Sequence, residues 1–202
     1  MDYVPVKTRG DRDFMLWLLS NLHPVETIHI PLGKYLEWVR EEWRGDKAFM
    51  LKTMLTQSGH EFLEWASDEL KDDDEVVHAA LQHHKPLSDD YPLQYGDALQ
   101  HASARLRNDD TTVLLACKDV GADDTESHHP FRYASNELQS SRSFVSKVAQ
   151  CSAPEVGVRN FEIDTLSSDG VRAVRFIEFV TNELREDRAF LLQVGLELIM
   201  IL

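Results

Sequence analysis

Apolar side chains along this chain recur at three- and four-residue steps on both sides of a fixed polar break. Before the break, one stripe runs through Phe62, Ala66 and Leu70; after it, Val76 and Val77 continue the same period. Steps of three and four residues place side chains on one face of an α-helix. The pattern therefore predicts pairs of amphipathic helices. The small Ala66 would lie in the middle of the first helix, where a neighbouring helix can approach closely.

The whole motif is repeated along the chain. Its copies occupy 38–50, 65–77, 101–113, 133–145 and 179–191, and its second half alone occupies 10–15. Self-similarity of this kind is typical of repeat proteins, whose units stack on their neighbours. We therefore expect an all-α fold of tandem helix-turn-helix hairpins, stacked as a short solenoid with irregular inserts, in a single domain over 1–202. The expected divisions are a half unit at 11–22 and units at 34–58, 61–83, 97–120, 130–150 and 171–202.

One polar column opens the second helix of each copy. It contains Asp11, Asp46, Asp73, Asp109, Ser141 and Asp187. A carboxylate or hydroxyl oxygen at this position can accept a hydrogen bond from a free N–H of the first helical turn, and a carboxylate also complements the positive end of the helix. We predict that these residues are structural N-caps without a catalytic role.

The motif at 65–77 combines an alanine–serine pair, a glutamate–leucine pair, a basic residue, an aspartate and a Val–Val pair. It resembles the short helical repeats of domain of unknown function 4116. The resemblance covers most of 35–195 apart from the inserts, and it weakens at 133–145, where Ser141 replaces the aspartate. It implies tandem helical hairpins and attaches no activity to them.

Charge and composition narrow the classes of partner. The net charge is −14, with 35 acidic against 21 basic residues, and such a surface repels phosphate backbones, so nucleic acid is not an expected partner. The apolar run 14–19 fits neither a signal peptide nor a membrane span. We therefore expect a soluble, cytoplasmic protein, with delivery to an organelle or a host cell left open. Cys117 follows the apolar run 113–116 and is expected to be a buried, reduced thiol.

Two histidine pairs are the main candidates for metal chemistry. His83 with His84, and His128 with His129, lie in or beside inserts, and imidazoles near carboxylates can hold zinc. Neither pair has a dedicated ligand spacing, so solvated loop histidines are the simpler interpretation. A metal-dependent hydrolase that uses these histidines is the alternative function. No glycine-rich phosphate loop or serine elbow occurs in the chain, and we expect no cofactor.

Three other patterns carry weaker signals. The segment 60–64 begins like a zinc-protease motif but lacks the second histidine of that motif. We interpret it as the acidic first turn of a helix. The acidic run 71–75 lacks the alternating ligands and the glycine of a calcium loop. Cys151 has no neighbour in sequence that would identify it as a nucleophile, so a structural thiol is the simpler interpretation.

The inserts and the apolar ends of the chain are the candidate contact surfaces. Loops that follow the same element of a solenoid emerge along one edge, so the inserts 22–33, 84–96, 121–130 and 151–170 are expected to form a rim that contains Phe161 and Ile163. At the C-terminal end of the sequence, the last predicted helix carries the apolar residues Leu198, Ile199, Ile201 and Leu202. The alternative to partner binding is that these side chains are buried against other parts of the same chain. The leading hypothesis is a non-enzymatic scaffold or accessory subunit that binds a protein partner or a second copy.

Overall fold

A computed structural model describes six segments of the chain, namely 5–20, 38–54, 62–82, 98–118, 129–152 and 179–201. Each described segment contains one copy, or the half copy, of the repeated motif. Within these segments the backbone is mostly helical, and none of the described residues lies in a β-strand. The helical fold class predicted from the period of the apolar positions is therefore confirmed for this part of the chain.

Every described segment contains a short helix of about one turn followed by a longer helix. In chain order the elements are α1 (Val6–Arg9), α2 (Arg12–Ser20), α3 (Glu41–Arg44), α4 (Lys47–Met54), a 3₁₀ helix (Leu63–Trp65), α5 (Asp68–Lys71), α6 (Asp74–Gln82), α7 (Ala98–His101), α8 (Ala104–Arg107), α9 (Asp110–Cys117), a second 3₁₀ helix (Pro130–Tyr133), α10 (Asn136–Ser140), α11 (Arg142–Ser152), α12 (Asn182–Glu186) and α13 (Arg188–Ile201).

The first helix of each copy is not continuous, contrary to the sequence prediction. In the segment 62–82, a 3₁₀ helix ends at Ala66, whose ψ of 155° is extended, and α5 starts after Ser67. The hydroxyl of Ser67 accepts the backbone N–H of Leu70 at 3.4 Å and so caps the new helix. Serine competes with helical backbone bonding in this way and favours N-caps over helix interiors. The alanine therefore ends a turn, and the prediction that it lies in the middle of a helix was wrong.

The same break recurs in two further segments. Ser103 precedes α8 with φ −59° and ψ 160°, and its hydroxyl accepts the N–H of Leu106 at 3.2 Å. Ser135 precedes α10 and accepts the N–H of Leu138 at 3.2 Å. Each serine stands three residues before a leucine that is buried in the core. The short helices are thus capped locally by a residue that the sequence repeats.

A short helix also precedes Asp11. The sequence pattern predicted only the second helix here, but α1 ends before Gly10 just as α3 ends before Gly45. Residues 6–9 contain one apolar residue, which is too few to show a helical period. The first described segment therefore has the same two-helix order as the others.

Each long helix begins directly after a residue of the predicted cap column. Side-chain oxygens of this column accept backbone N–H groups of the first turn at 2.8–3.4 Å. The acceptors are Asp11, Asp46, Asp73, Asp109, Ser141 and Asp187. These bonds satisfy N–H groups that have no partner within the helix.

The apolar stripe stays buried across the break. The residues of the predicted stripe that the structure describes are all buried: Val39, Trp43, Phe62, Ala66, Leu70, Leu99, Ala102, Leu106, Phe131, Ala134, Leu138, Val180 and Leu184. On the long helices, side chains such as Phe49, Val77 and Val145 are also fully buried. Burial of each large apolar side chain stabilises a fold by about 1.5–3 kcal/mol, so this stripe supplies much of the folding energy.

Long helices of consecutive described segments pack side by side. Contacts join α2 to α4, α4 to α6, α6 to α9, α9 to α11 and α11 to α13. The turns that precede the short helices also touch, since α7 contacts both 3₁₀ helices. In the part of the chain that the structure describes, no helix has the length and hydrophobicity needed to cross a bilayer.

Candidate binding surface at the helix junctions

Backbone hydrogen bonds join the last turns of α3, α5, α8 and α10 to the residue that precedes α5, α8, α10 and α12, respectively. We call these contacts junctions. The N–H of the later residue donates to a carbonyl in the last turn of the earlier helix: Ser67 to Arg44 at 3.0 Å, Ser103 to Lys71 at 2.9 Å, Ser135 to Arg107 at 2.9 Å and Thr181 to Gln139 at 3.3 Å. Carbonyls in the last turn of a helix lack partners within it, so the junctions satisfy groups that would otherwise need water.

The serine hydroxyls link neighbouring segments at two junctions. The Ser103 hydroxyl donates to the Asp72 carboxylate, and the Ser135 hydroxyl donates to the Asn108 side-chain oxygen. The same two hydroxyls accept the cap bonds of their own short helices. A hydroxyl can donate and accept at once, whereas an ionised aspartate can only accept. Serine suits positions 103 and 135 because its hydroxyl fills both roles.

The fourth junction differs in its side chains. Thr181 makes no side-chain cap bond, and its Oγ1 is buried without a hydrogen-bond partner. Ser140, at the position that Asp72 and Asn108 occupy in their segments, turns its hydroxyl to the carbonyl of Glu137 at 2.9 Å. The backbone bond of the junction therefore persists at Thr181 without its side-chain link.

Ion pairs connect the caps of neighbouring long helices. The residue after one cap reaches the cap of the next segment: Arg12 bonds Asp46 at 2.6 Å, Lys47 bonds Asp73 at 2.8 Å, and Arg142 bonds Asp187. These contacts are partly exposed, so each is a weak source of stability. The three ion pairs therefore join equivalent positions of the repeated motif in neighbouring described segments.

The ion pairs and cap bonds lower the pKa values of the cap carboxylates. For Asp46 and Asp187 the largest cause of the lowered pKa is the cap bond from the backbone, followed by the bond from the arginine of the preceding segment. For Asp73, desolvation raises the pKa, and the bonds from Lys47 and from the backbone of Val76 outweigh it, so its pKa is lowered. These carboxylates are therefore held ionised.

The charges are exchanged at the central junctions. Asp74 and Asp110 occupy the position after the cap, where other segments have arginine or lysine. Here the cations come from the following segment: Arg105 bonds Asp74 at 3.0 Å and Asp72 at 2.9 Å, and Lys147 bonds Asp110 at 3.2 Å. These junctions therefore also pair opposite charges. Here the cation lies in the later segment and the carboxylate lies in the earlier one.

Cations also lie over aromatic rings at the junctions. The guanidinium of Arg9 lies 4.1 Å from the Trp38 ring centroid, and that of Arg44 lies 5.0 Å from the Trp65 centroid. Trp38 and Trp65 each stand two residues before the N-cap of a short helix, and both pack partly against the core. Arginine stacked on an aromatic face is favourable and restricts the guanidinium orientation.

The structure assigns a local role to His129. Its Nδ1 accepts the backbone N–H of Phe131 at 3.3 Å and caps the second 3₁₀ helix. Burial lowers the pKa of the imidazole to about 4, so the ring is neutral near pH 7 and carries its proton on Nε2. The Nδ1 lone pair is therefore committed to the cap. His83, His84 and His128 lie outside the described residues.

Candidate metal and nucleophile positions are sparse in the described segments. Within them, no group of three or more histidine, cysteine, aspartate or glutamate side chains is arranged to hold a metal ion. Cys117 is buried, as predicted, and burial strongly raises the pKa of its thiol. A thiol of this kind stays protonated and is a poor nucleophile. Cys151 is half-buried at the end of α11.

Exposed apolar side chains occur on two of the long helices. Trp17 on α2 is 61% exposed and Leu192 on α13 is 57% exposed, the two large apolar residues of the described segments with this character. Of the predicted contact residues, Phe161, Ile163 and Leu202 lie outside the described residues. Leu198, Ile199 and Ile201 belong to α13, and their side chains also lie outside the description.

Comparisons with protein-family models, curated proteins and solved structures gave no match.

Proposed function

We propose that this chain is a non-enzymatic helical-repeat scaffold, or an accessory subunit, that binds other proteins. In this proposal the described segments are units of one array, stacked in chain order. The observation that carries it is the backbone bond that recurs at the same position of four junctions, from Ser67, Ser103, Ser135 and Thr181 to the preceding segment. Equal bonds at equal positions are what stacked repeats produce.

The fold family remains part of the proposal. The alanine–serine pair and the cap aspartate are the residues that carry the resemblance to domain of unknown function 4116, and both have structural tasks at the junctions. This supports tandem helical hairpins as the architecture. It gives no activity to the chain.

The exposed side chains of Trp17 and Leu192 support binding through the first and last long helices of the described segments, α2 and α13. Burial of each of these large apolar side chains by a partner would be favourable by about 1.5–3 kcal/mol. A protein partner or a second copy would bury them, together with the insert loops. The acidic net charge of −14 supports a protein partner over nucleic acid.

The test is a binding measurement with a purified partner. The tagged chain is cross-linked in its native source, the recovered proteins are identified, and each is purified and titrated against the chain. We expect saturable binding by one of them, weakened roughly tenfold or more when Trp17→Ser and Leu192→Ser are combined, because large apolar anchors dominate interface energies. The control variant Lys118→Gln should bind normally, since Lys118 is exposed after the end of α9.

Two outcomes would count against the scaffold. One is a chain that is monomeric in sedimentation experiments and binds none of the recovered proteins. The other is stoichiometric zinc in the purified chain that is lost when His128 and His129 are replaced by alanine, because a metal ion held in this way would favour the hydrolase.

A further inference from the structure

An arginine directly after a cap reaches the next described segment at two places. Arg12 bonds the Asp46 carboxylate at 2.6 Å, and its guanidinium lies 5.5 Å from the centroid of the Phe49 ring, three residues after that aspartate. The same contacts recur, with the guanidinium 5.4 Å from the ring centroid, in the set Arg142, Asp187 and Phe190. One contact set therefore joins neighbouring segments twice: an arginine, a cap aspartate and the phenylalanine one turn later.

Two further contacts show which positions of neighbouring long helices meet. The Nε2 of His78, five residues after its cap, lies 3.0 Å from the Oγ1 of Thr112, three residues after the next cap. Lys147, six residues after its cap, bonds Asp110, directly after the preceding cap, at 3.2 Å. The positions one and five residues after a cap therefore contact the following segment. The cap itself and the positions three and six residues after it contact the preceding segment.

The first described segment carries suitable groups at the positions that contact a preceding segment. Its cap is Asp11, and Phe14 and Trp17 stand three and six residues later. Asp11 is exposed, Phe14 is half-buried, and Trp17 is 61% exposed. The two rings lie next to each other, with their centroids 6.1 Å apart. We call Asp11, Phe14 and Trp17 the front face.

The last described segment carries matching groups at the positions that contact a following segment. Arg188 directly follows the Asp187 cap, and Leu192 stands five residues after this cap. Arg188 is exposed, and Leu192 is 57% exposed. We call Arg188 and Leu192 the rear face. Both large apolar side chains that are exposed in the described segments, Trp17 and Leu192, therefore stand at positions that contact a neighbouring segment elsewhere in the chain.

The front and rear faces complement each other in charge and in apolar contact. Between two copies of the chain, Arg188 of one copy would bond Asp11 of the other and lie over the ring of Phe14. Trp17 would meet the same guanidinium, and Leu192 would pack on Phe14. Guanidinium groups are favourable over aromatic rings, and removal of large apolar side chains from water drives association.

We propose that the rear face of one copy binds the front face of a second copy, so that copies of the chain associate head to tail. The contact would place α13 of one copy against α2 of the next, in the way that α2 packs on α4 and α11 packs on α13. Because the two faces differ, the interface is heterologous and extends into open chains or closes into rings. This inference rests on the proposed scaffold function, because it transfers contact positions between units of one array.

The net charge of −14 opposes the approach of two copies and sets the conditions for association. The screening length falls from about 30 Å at 10 mM salt to about 8 Å at 150 mM salt, so repulsion between whole copies is weak at the higher concentration. A direct ion pair lies well within that distance. The copies also lose translational and rotational freedom, and we therefore expect a dissociation constant of roughly micromolar or weaker.

Sedimentation equilibrium of the full chain at about 150 mM salt tests the proposal. Over protein concentrations from about 1 μM to about 1 mM, we expect the average mass to rise above the 23.2 kDa of one chain. The rear variant is Arg188→Glu, which places a carboxylate opposite Asp11 and suits the first turn of a helix. The control variant Lys118→Glu makes the same change in net charge at an exposed position and should assemble as the parent chain does.

The front variant combines Asp11→Asn with Trp17→Lys. Asparagine can still cap α2, whereas the ion pair with Arg188 is lost and a lysine lies beside the guanidinium. We expect the front variant and the rear variant to be monomeric when each is measured alone. Circular dichroism checks the fold of both, and Leu192→Glu serves as a second rear variant if Arg188→Glu is unfolded.

A mixture of the front and rear variants gives the sharpest result. The front variant keeps an intact rear face, and the rear variant keeps an intact front face, so one pairing remains possible. We expect the mixture to form complexes of two chains, one of each variant, and no larger species. A heterologous interface predicts this recovery, whereas a fold damaged by substitution does not.

Three results would overturn the proposal: a parent chain that stays monomeric over the whole range, a folded rear variant that still associates, or a mixture of folded variants that stays monomeric. Coverage of the two faces by other parts of this chain would appear as the first result, and association of like front faces as the second. The scaffold function is judged separately. If a purified protein partner binds a chain that stays monomeric, only the head-to-tail proposal fails; if no partner binds either, both fail.

Discussion

Removing the Ser103 hydroxyl should destabilise the folded chain, because this one group makes two hydrogen bonds. This hydroxyl accepts the N–H of Leu106 at 3.2 Å and donates to the Asp72 carboxylate. Loss of a serine N-cap costs about 1 kcal/mol in typical proteins. The lost bond to Asp72 adds to this cost, because Asp72 also orients Arg105 across the junction. For Ser103→Ala we therefore expect a loss of at least ~1 kcal/mol in the free energy of unfolding.

Thr181→Val provides the matched control. Thr181 stands at the same position of its segment, but its Oγ1 is buried without a partner. Replacing an unpaired buried hydroxyl by a methyl group of similar shape is nearly neutral or stabilising. The backbone junction bond to Gln139 does not depend on the side chain and should persist in the variant.

Urea unfolding followed by circular dichroism at the helical band measures both variants. For a chain of this length, a loss of about 1 kcal/mol also lowers the melting temperature by roughly 2–4 °C, so a thermal scan provides a second readout. The reasoning is refuted if Ser103→Ala is as stable as the parent chain, or if Thr181→Val loses as much stability as Ser103→Ala does.

Three further predictions concern ionisation, thiol reactivity and metal content. The pKa values of Asp46, Asp73 and Asp187 are lowered in the folded chain, so their contribution to stability is present at neutral pH and is lost as pH falls below about 4; urea midpoints against pH should show this fall, and Asp46→Asn, which can still cap, should reduce it. A thiol reagent at pH 8 should label Cys151 in the folded chain and Cys117 only after unfolding, because burial raises the pKa of the Cys117 thiol; rapid labelling of both would contradict its burial. His129→Ala should lower the unfolding midpoint through loss of the cap to Phe131 and leave zinc content by mass spectrometry unchanged, whereas loss of bound zinc would support a ligand role.

The cap column was predictable because its signal is local. An aspartate three residues before an apolar pair, as in Asp73 before Val76 and Val77, is a strong start signal for a helix. The capping bond involves residues only three apart, such as Asp46 and Phe49. Tertiary contacts are not needed to decide such a position.

The break at the alanine–serine pair was missed because the apolar stripe continues through it. Phe62, Ala66 and Leu70 are spaced four apart, as in an unbroken helix, and all three are buried. A second signal was present in the sequence: Ser67 stands three residues before Leu70, the spacing of an N-cap and the N–H that it accepts. Periodicity reports which face is buried and does not show whether the backbone is continuous.

The junctions could not be derived from one sequence. The bond between Arg12 and Asp46 joins residues 34 apart, and the bond between Arg142 and Asp187 joins residues 45 apart. Unequal inserts separate the segments, so no fixed spacing predicts the pairs. The residue after the cap is acidic at Asp74 and Asp110 and basic in the other segments. The charges at this position therefore do not show from sequence alone which residues pair.

Amide hydrogen exchange at the junction residues tests the stacked array most directly. The N–H groups of Ser67, Ser103 and Ser135 each donate to the preceding segment, and at the N-cap of an isolated helix the same groups would face water. We expect their exchange to be slowed to a degree comparable with that of amides inside α6 and α9. Exchange at these three amides as fast as in an unfolded chain, while α6 and α9 stay protected, would contradict stacking through the junctions.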